Sequence, residues 1–167
     1  ASLGINPTRV RVIYPGIDAR FAPPAETDEA AAAFCRTHHM TFPFVLFLGT
    51  LEPRKNIPAV IRSFSLVKRD SAFKDLRLII AGRPGWLYQQ TVAERRRSPH
   101  RAHIIFWGPV HNRDRALLYT SARALIYPSF FEGFGFPPLE ALSCGTPVVV
   151  SNRTSLPEVT ADAAVHA

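Results

Sequence analysis

The chain has 167 residues, with 20 Lys and Arg against 13 Asp and Glu and 47% hydrophobic residues, which is the make-up of one domain with one sizeable core. Its 12 Phe, its many Val, Ile and Leu runs and a charged fraction of only 20% exclude a disordered chain, and no apolar stretch approaches the roughly 20 residues that span a bilayer. The net charge of +7 asks for an anionic partner: nucleic acid, an anionic membrane surface or a phosphorylated substrate.

The N-terminus, Ala1-Ser2-Leu3-Gly4-Ile5, lacks the basic region and apolar run of a secretory signal. A start without Met and an end in Ala164-Val165-His166-Ala167 are expected of an excised segment, although Met removal also explains the first residue. Short β-branched or aromatic runs then alternate with helical patterns, as in successive βα units around a parallel sheet. Strands are predicted over 10–14, 44–48, 76–81, 104–107, 124–127 and 148–150. Most are continuously apolar, as strands covered on both faces are. A helix over 26–39, with the Ala30–Ala33 run inside it, is inserted between the first two strands. Ile57, Val60, Ile61, Phe64 and Val67 recur at helical spacing and predict a helix over 58–68. Further helices are predicted over 87–97, 113–121 and 138–143. The run Arg95-Arg96-Arg97 falls at a helix end, where cations suit the helix dipole and are solvated. Cys35 and Cys144 are far apart and form neither a disulfide scaffold nor a zinc pattern, which fits a reducing cytosol. Cys144-Gly145 reads as a buried thiol followed by a C-cap glycine.

This order predicts a Rossmann-like, doubly wound α/β domain, in which ligands bind outside the carboxyl ends of the strands. Chemistry is therefore sought in the loops that follow strands. Ser129 through Ala141 is the most distinctive of them. Gly133 and Gly135 allow close backbone approach to a ligand, and Pro137 or Pro138 suits the first turn of a helix whose free N–H groups attract anions. Glu132 precedes this loop and Glu140 falls in the first turn of the helix. Both suit the binding of sugar hydroxyls; equally, Glu132 caps a turn and Glu140 complements the dipole. Arg54 and Lys55 stand beside another helix N-terminus, a placement that opposes the dipole unless an anion compensates, which favours phosphate. Arg83 follows a further strand and faces either the cleft or solvent. The six His lack the spacing of a helical zinc site, and no acidic metal cluster or G-x-S-x-G elbow is present. A dinucleotide-dependent dehydrogenase would need G-x-G-x-x-G after its first strand, and Gly49-Thr50-Leu51 does not supply it.

Taken in order, several segments resemble the C-terminal, donor-binding half of family 4 (group 1) retaining GT-B glycosyltransferases. Val12-Ile13-Tyr14-Pro15-Gly16-Ile17-Asp18 resembles the segment that follows the interdomain linker. Phe47 through Asn56 is similar to the first donor-site loop, and Leu78-Ile79-Ile80-Ala81-Gly82 and Pro128 through Val149 complete the series. Glu132 and Glu140 reproduce the E-x7-E signature.

The resemblance implies a single nucleotide-sugar-binding domain over 1–167, with an N-terminal acceptor domain and the closing C-terminal helices lying outside it. Lys55 would contact the donor diphosphate and, with Arg54, stabilise its growing charge. Gly49, Arg83, Gly133, Phe134, Gly135 and Phe136 would line the donor site, and Glu140 would hold the ribose hydroxyls. Glu132 would lie against the transferred sugar, binding its hydroxyls or steering the reaction face. Many members carry Gly-Arg-Leu where this chain has Gly49-Thr50-Leu51, and Arg54 is the candidate substitute. The form Thr-Leu-Glu-Pro-Arg-Lys-Asn is similar to that of bacterial mannosyl- and related transferases, which favours a GDP-mannose-like donor. The expected enzyme moves a hexose from a GDP- or UDP-sugar without a metal or other cofactor, in the cytoplasm, with peripheral contact at the inner membrane face and no nucleic acid partner. Its isolated donor half is expected to bind without turnover. The alternative is a non-catalytic basic α/β module binding a nucleotide or polyanion.

Overall fold

The computed structural model describes residues 4, 6–23 and 29–167. Six parallel strands form one sheet: β1 (Phe44–Leu48), β2 (Arg77–Ala81), β3 (Ile104–Gly108), β4 (Ala124–Tyr127), β5 (Val148–Val150) and β6 (Val165–His166), in the order β3-β2-β1-β4-β5-β6. The helices are α1 (Glu29–Thr37), α2 (Ile57–Val67), α3 (Gln89–Arg97), α4 (Arg115–Ser121), α5 (Phe136–Ser143) and α6 (Leu156–Thr160).

The central strands are apolar on both faces because both faces are covered. Leu46, Phe47, Leu78, Ile79, Ile80, Ile104, Leu125 and Tyr127 are fully buried, and each of the aliphatic side chains contributes about 1.5–3 kcal/mol on leaving water. Right-handed crossovers fix which helix covers which face. β1, β2 and β3 step in one direction, so α2 and α3 lie together on one side, while α1 packs on α4 and α4 on α5. In α2, Ile57, Val60, Ile61 and Phe64 face the sheet, but Val67, the last apolar residue of the periodic set, is exposed where the helix runs past the core.

Two departures from the sequence reading concern the ends. The strand predicted over 10–14 does not form: the segment pairs with no strand, and Val10, Val12, Ile13 and Tyr14 are exposed. The sixth strand is instead the two-residue β6, paired with β5. The helix predicted over 26–39 begins by Glu29 and ends at Thr37, its positions 26–28 lying outside the described residues. The thiols of Cys35 and Cys144 are free, Cys144 buried beside Gly145 at the end of α5.

The direction of stepping reverses between β1 and β4, and such a reversal opens a crevice at the carboxyl ends of the two strands. The loops leaving β1 and β4 are those that carry Arg54, Lys55 and Glu132.

Candidate functional site

The wall of the crevice is built from backbone. β1 and β2 stay tied beyond their ends: the Gly49 N–H donates to the Ala81 carbonyl at 2.9 Å, Leu51 N–H to Arg83 O at 2.9 Å and Gly85 N–H to Leu51 O at 3.0 Å. Gly82 makes this possible. Its φ is +142°, and a Cβ there would stand 1.8 Å from the Gly49 carbonyl oxygen, a distance no side chain survives.

On this wall the β1 loop turns inward. Pro53–Lys55 forms a single 3-10 turn, closed by Asn56 in the left-handed region (φ 53°), a conformation Asn tolerates better than most residues. The turn buries Lys55, which is 5% exposed. Its ammonium donates to Tyr127 Oη at 2.5 Å and to Glu132 Oε1 at 2.6 Å. Arg54 donates to the other oxygen of Glu132 at 3.0 Å and to Phe131 O, and its Nε lies 2.6 Å from Glu52. The Phe130 N–H donates to the Arg54 carbonyl at 2.7 Å, so the β1 and β4 loops are stitched by backbone as well as by charge. Ser155 Oγ in turn donates to the carbonyls of Glu132 and Phe134.

The electrostatics follow from this burial. Desolvation pushes the Glu132 carboxyl up, but hydrogen bonds from Lys55 and Arg54 outweigh it and hold the group below the ordinary carboxylate value. For Lys55 desolvation wins, and its ammonium sits below the ordinary lysine value although Glu132 opposes the shift. Burial raises the Tyr127 hydroxyl far above a normal tyrosine, so it stays protonated. The anion that compensates Arg54 and Lys55 beside α2 is thus supplied within the fold, by Glu132 and Glu52.

The second carboxylate is placed differently. α5 begins at Phe136, with Gly135 (φ +107°) as its N-cap; a Cβ on Gly135 would come within 2.8 Å of Leu156. Glu140 therefore lies in the second turn and not, as the sequence suggests, in the first, which removes the dipole explanation for it. Pro137 and Pro138 take the next positions and carry no N–H, so of the four free donors at a helix start only those of Gly135 and Phe136 remain. Glu140 is buried and accepts from Tyr119 Oη at 2.8 Å and from Arg115 through the same oxygen, Oε2.

Two adjoining clefts open here. One, of about 480 Å³, is bounded by Gly49, Thr50, Arg83, Val110 and Pro137; the other, of about 230 Å³, by Asp18, Arg20, Phe136 and Glu140. Asn112 and Arg115 border both. The structure thus unites Arg54, Lys55 and Glu132 in one cluster and sets Gly49, Arg83, Phe136 and Glu140 around the clefts. Gly133 is exposed, and Phe134 packs between Tyr14 and Phe136, with ring centroids 6.4 and 5.0 Å away. Arg115, Tyr119 and Tyr127 were not singled out from sequence. The loop after β3 leads directly into Arg115, so the strand-end rule would have reached it. Among the described residues no group of His, Cys, Asp or Glu is arranged to hold a metal ion, and no helix is long and apolar enough to cross a membrane.

The sequence profile of a family described as glycosyl transferases group 1 matches residues 32–166. The O-antigen chain mannosyltransferase B of Escherichia coli is 43% identical over 124 residues, covering 74% of this chain and 32% of its own length. The chain thus spans about a third of that relative. Among solved structures, WaaG, a glycosyltransferase involved in lipopolysaccharide biosynthesis, superposes with a TM-score of 0.79 at 19% identity, covering 93% of this chain and 41% of its own. Anabaena Alr3699/HepE, in complex with UDP and glucose, superposes with a TM-score of 0.71 at 21% identity, covering 89% and 39%. Both share the Rossmann-like fold.

Proposed function

Because the chain belongs to the group 1 glycosyl transferases, we propose that it is the donor half of a retaining, family 4 hexosyltransferase that binds a nucleoside diphosphate sugar at the β1–β4 crevice. The observation that carries this reading is the cluster of Lys55, Arg54 and Glu132 at the topological switch point. A lysine has three N–H donors. Two are committed, to Tyr127 and Glu132, which leaves one for an incoming phosphate oxygen.

The leaving diphosphate gains charge as the glycosidic bond breaks, and fixed cations bind that charge more tightly than they bind the ground state. Lys55 and Arg54 supply this stabilisation in the proposed reaction, with no metal ion required, and the amides of Gly135 and Phe136 at the start of α5 are further donors. Glu132 fixes both cations and meets the transferred sugar. The two adjoining clefts take the nucleoside between them, the larger, of about 480 Å³, being within the range of small-molecule sites and the smaller being lined by Glu140. Glu140, held through one oxygen, has the other free for ribose hydroxyls. The mannosyltransferase name of the Escherichia coli relative supports a GDP-mannose-like donor. The acceptor is held by a second domain facing the crevice.

Calorimetric titration of the folded chain with GDP, UDP and ADP tests this reading. Binding of at least one, GDP foremost, is expected; binding of none would refute it.

A further inference from the structure

Tyr127 closes β4 at the crevice, and its side chain is fully buried. Its ring stacks on Phe47 of β1, with centroids 5.8 Å apart and planes inclined by 13°, so close packing holds the hydroxyl in one place. A buried phenol needs a partner for its polar tip. Here the partner is the Lys55 ammonium, 2.5 Å from the oxygen and 4.9 Å from the ring centroid. The same ammonium donates to Glu132 at 2.6 Å. Two hydrogen bonds from one tetrahedral nitrogen fix the direction of its third N–H.

The two acceptors differ in what they bring. Glu132 brings a charge that offsets the ammonium. The Tyr127 oxygen brings none, because burial first, and then the Glu132 charge, raise its hydroxyl far above the ordinary tyrosine value and keep it protonated. A second carboxylate at this point would neutralise the ammonium further and weaken its hold on a phosphate. An apolar side chain would leave an N–H unpaired in the core. A neutral acceptor does neither.

We propose that Tyr127 is a positioning residue of the donor site: by accepting one N–H of Lys55, it keeps the ammonium charged and its remaining N–H aimed at the diphosphate. This role rests on the diphosphate reading of the crevice. A donor fixed before the ligand arrives spares the binding step that reorganisation. Burial lowers the Lys55 ammonium below the ordinary lysine value; Glu132 from the β4 loop and Glu52 from its own loop oppose the shift, and Arg54 adds to it. A diphosphate held by this ammonium is released as pH rises through the Lys55 value. Removing the Tyr127 oxygen takes an acceptor from the charged form, so the release moves to lower pH.

Tyr127→Phe tests the role, because it deletes one oxygen and keeps the stacked ring; a cooperative thermal transition verifies folding. Parent and variant are titrated calorimetrically with GDP and with guanosine from about pH 6 to 10, and the nucleotide's own ionisation cancels between the two proteins. Near neutral pH, GDP affinity should fall about two- to tenfold, the worth of one hydrogen bond, with guanosine unchanged. The alkaline midpoint of GDP binding should drop by about one pH unit, and an NMR titration of the Lys55 side chain without nucleotide should show the same downward shift. A variant whose GDP affinity and Lys55 titration match the parent's, or one that loses GDP and guanosine equally at an unmoved midpoint, would reduce Tyr127 to packing and overturn the proposal alone. A parent that binds no nucleotide would refute the diphosphate reading and this role with it.

Discussion

Replacing Glu132 by Gln tests the cluster at its centre. The carboxylate accepts from Lys55 at 2.6 Å and from Arg54 at 3.0 Å, and Glu132 and Lys55 are 8% and 5% exposed. Removing one partner from a buried ion pair costs about 3–5 kcal/mol, because the other charge stays buried. Gln keeps a carbonyl for the Lys55 ammonium, while Arg54 is 41% exposed, so water screens most of its share. The net loss is therefore about 2–4 kcal/mol. Guanidinium unfolding of both proteins measures it, provided the slopes agree. A loss below about 1 kcal/mol would refute the idea that Glu132 holds a buried cation. Adding Lys55→Met removes the orphaned charge, and the double mutant should recover part of the loss, with a coupling of about 2 kcal/mol or more. The pH dependence has a definite sign. The folded Glu132 carboxyl lies below its unfolded value of about 4.3. Its contribution is thus complete above that value and disappears as pH falls through the folded one. Glu132→Gln should show a flatter acid limb than the parent.

Lys55→Ala should weaken GDP binding at least about tenfold, the worth of one charged hydrogen bond, while guanosine binding changes little; calorimetry showing equal losses would remove Lys55 from the diphosphate. Arg115→Leu should free Glu140 from the ion pair that orients it. Nucleotide affinity should then fall about tenfold, with reduced discrimination between ribo- and 2′-deoxyribonucleotides; titration with both forms reads this directly. Gly82→Ala forces a Cβ against the Gly49 carbonyl and should cost more than about 3 kcal/mol. A thermal transition within a few degrees of the parent would show that the crevice wall yields easily.

The sheet was legible because five of its strands announce themselves as short apolar runs bounded by Gly and Pro. The segment 10–14 has the same composition but no neighbour to pair with. β-propensity describes a surface that fits a sheet and does not supply the sheet. β6 is too short to leave any pattern. At the site, the strand-end rule located Arg54, Lys55 and Glu132 as separate features. Their union across 77 residues of sequence is tertiary, so the sequence shows two cations beside α2 without showing the Glu132 and Glu52 carboxylates that the fold sets against them. Arg115 was hidden differently, since a basic residue opening an amphipathic helix looks like ordinary surface until Glu140 is brought against it.

The two prolines that open α5 have an evolutionary consequence. A phosphate held by main-chain amides is recognised the same way whatever side chains surround it, so such a site resists point mutation. With Pro137 and Pro138 withholding half of the amides at this helix start, a diphosphate in the proposed site would be recognised mostly by side chains, Lys55 and Arg54 first. Each is encoded by one codon and can be exchanged without moving the backbone wall behind it. In the proposed site, a single substitution would therefore change the grip on a diphosphate while leaving the helix start beside it intact.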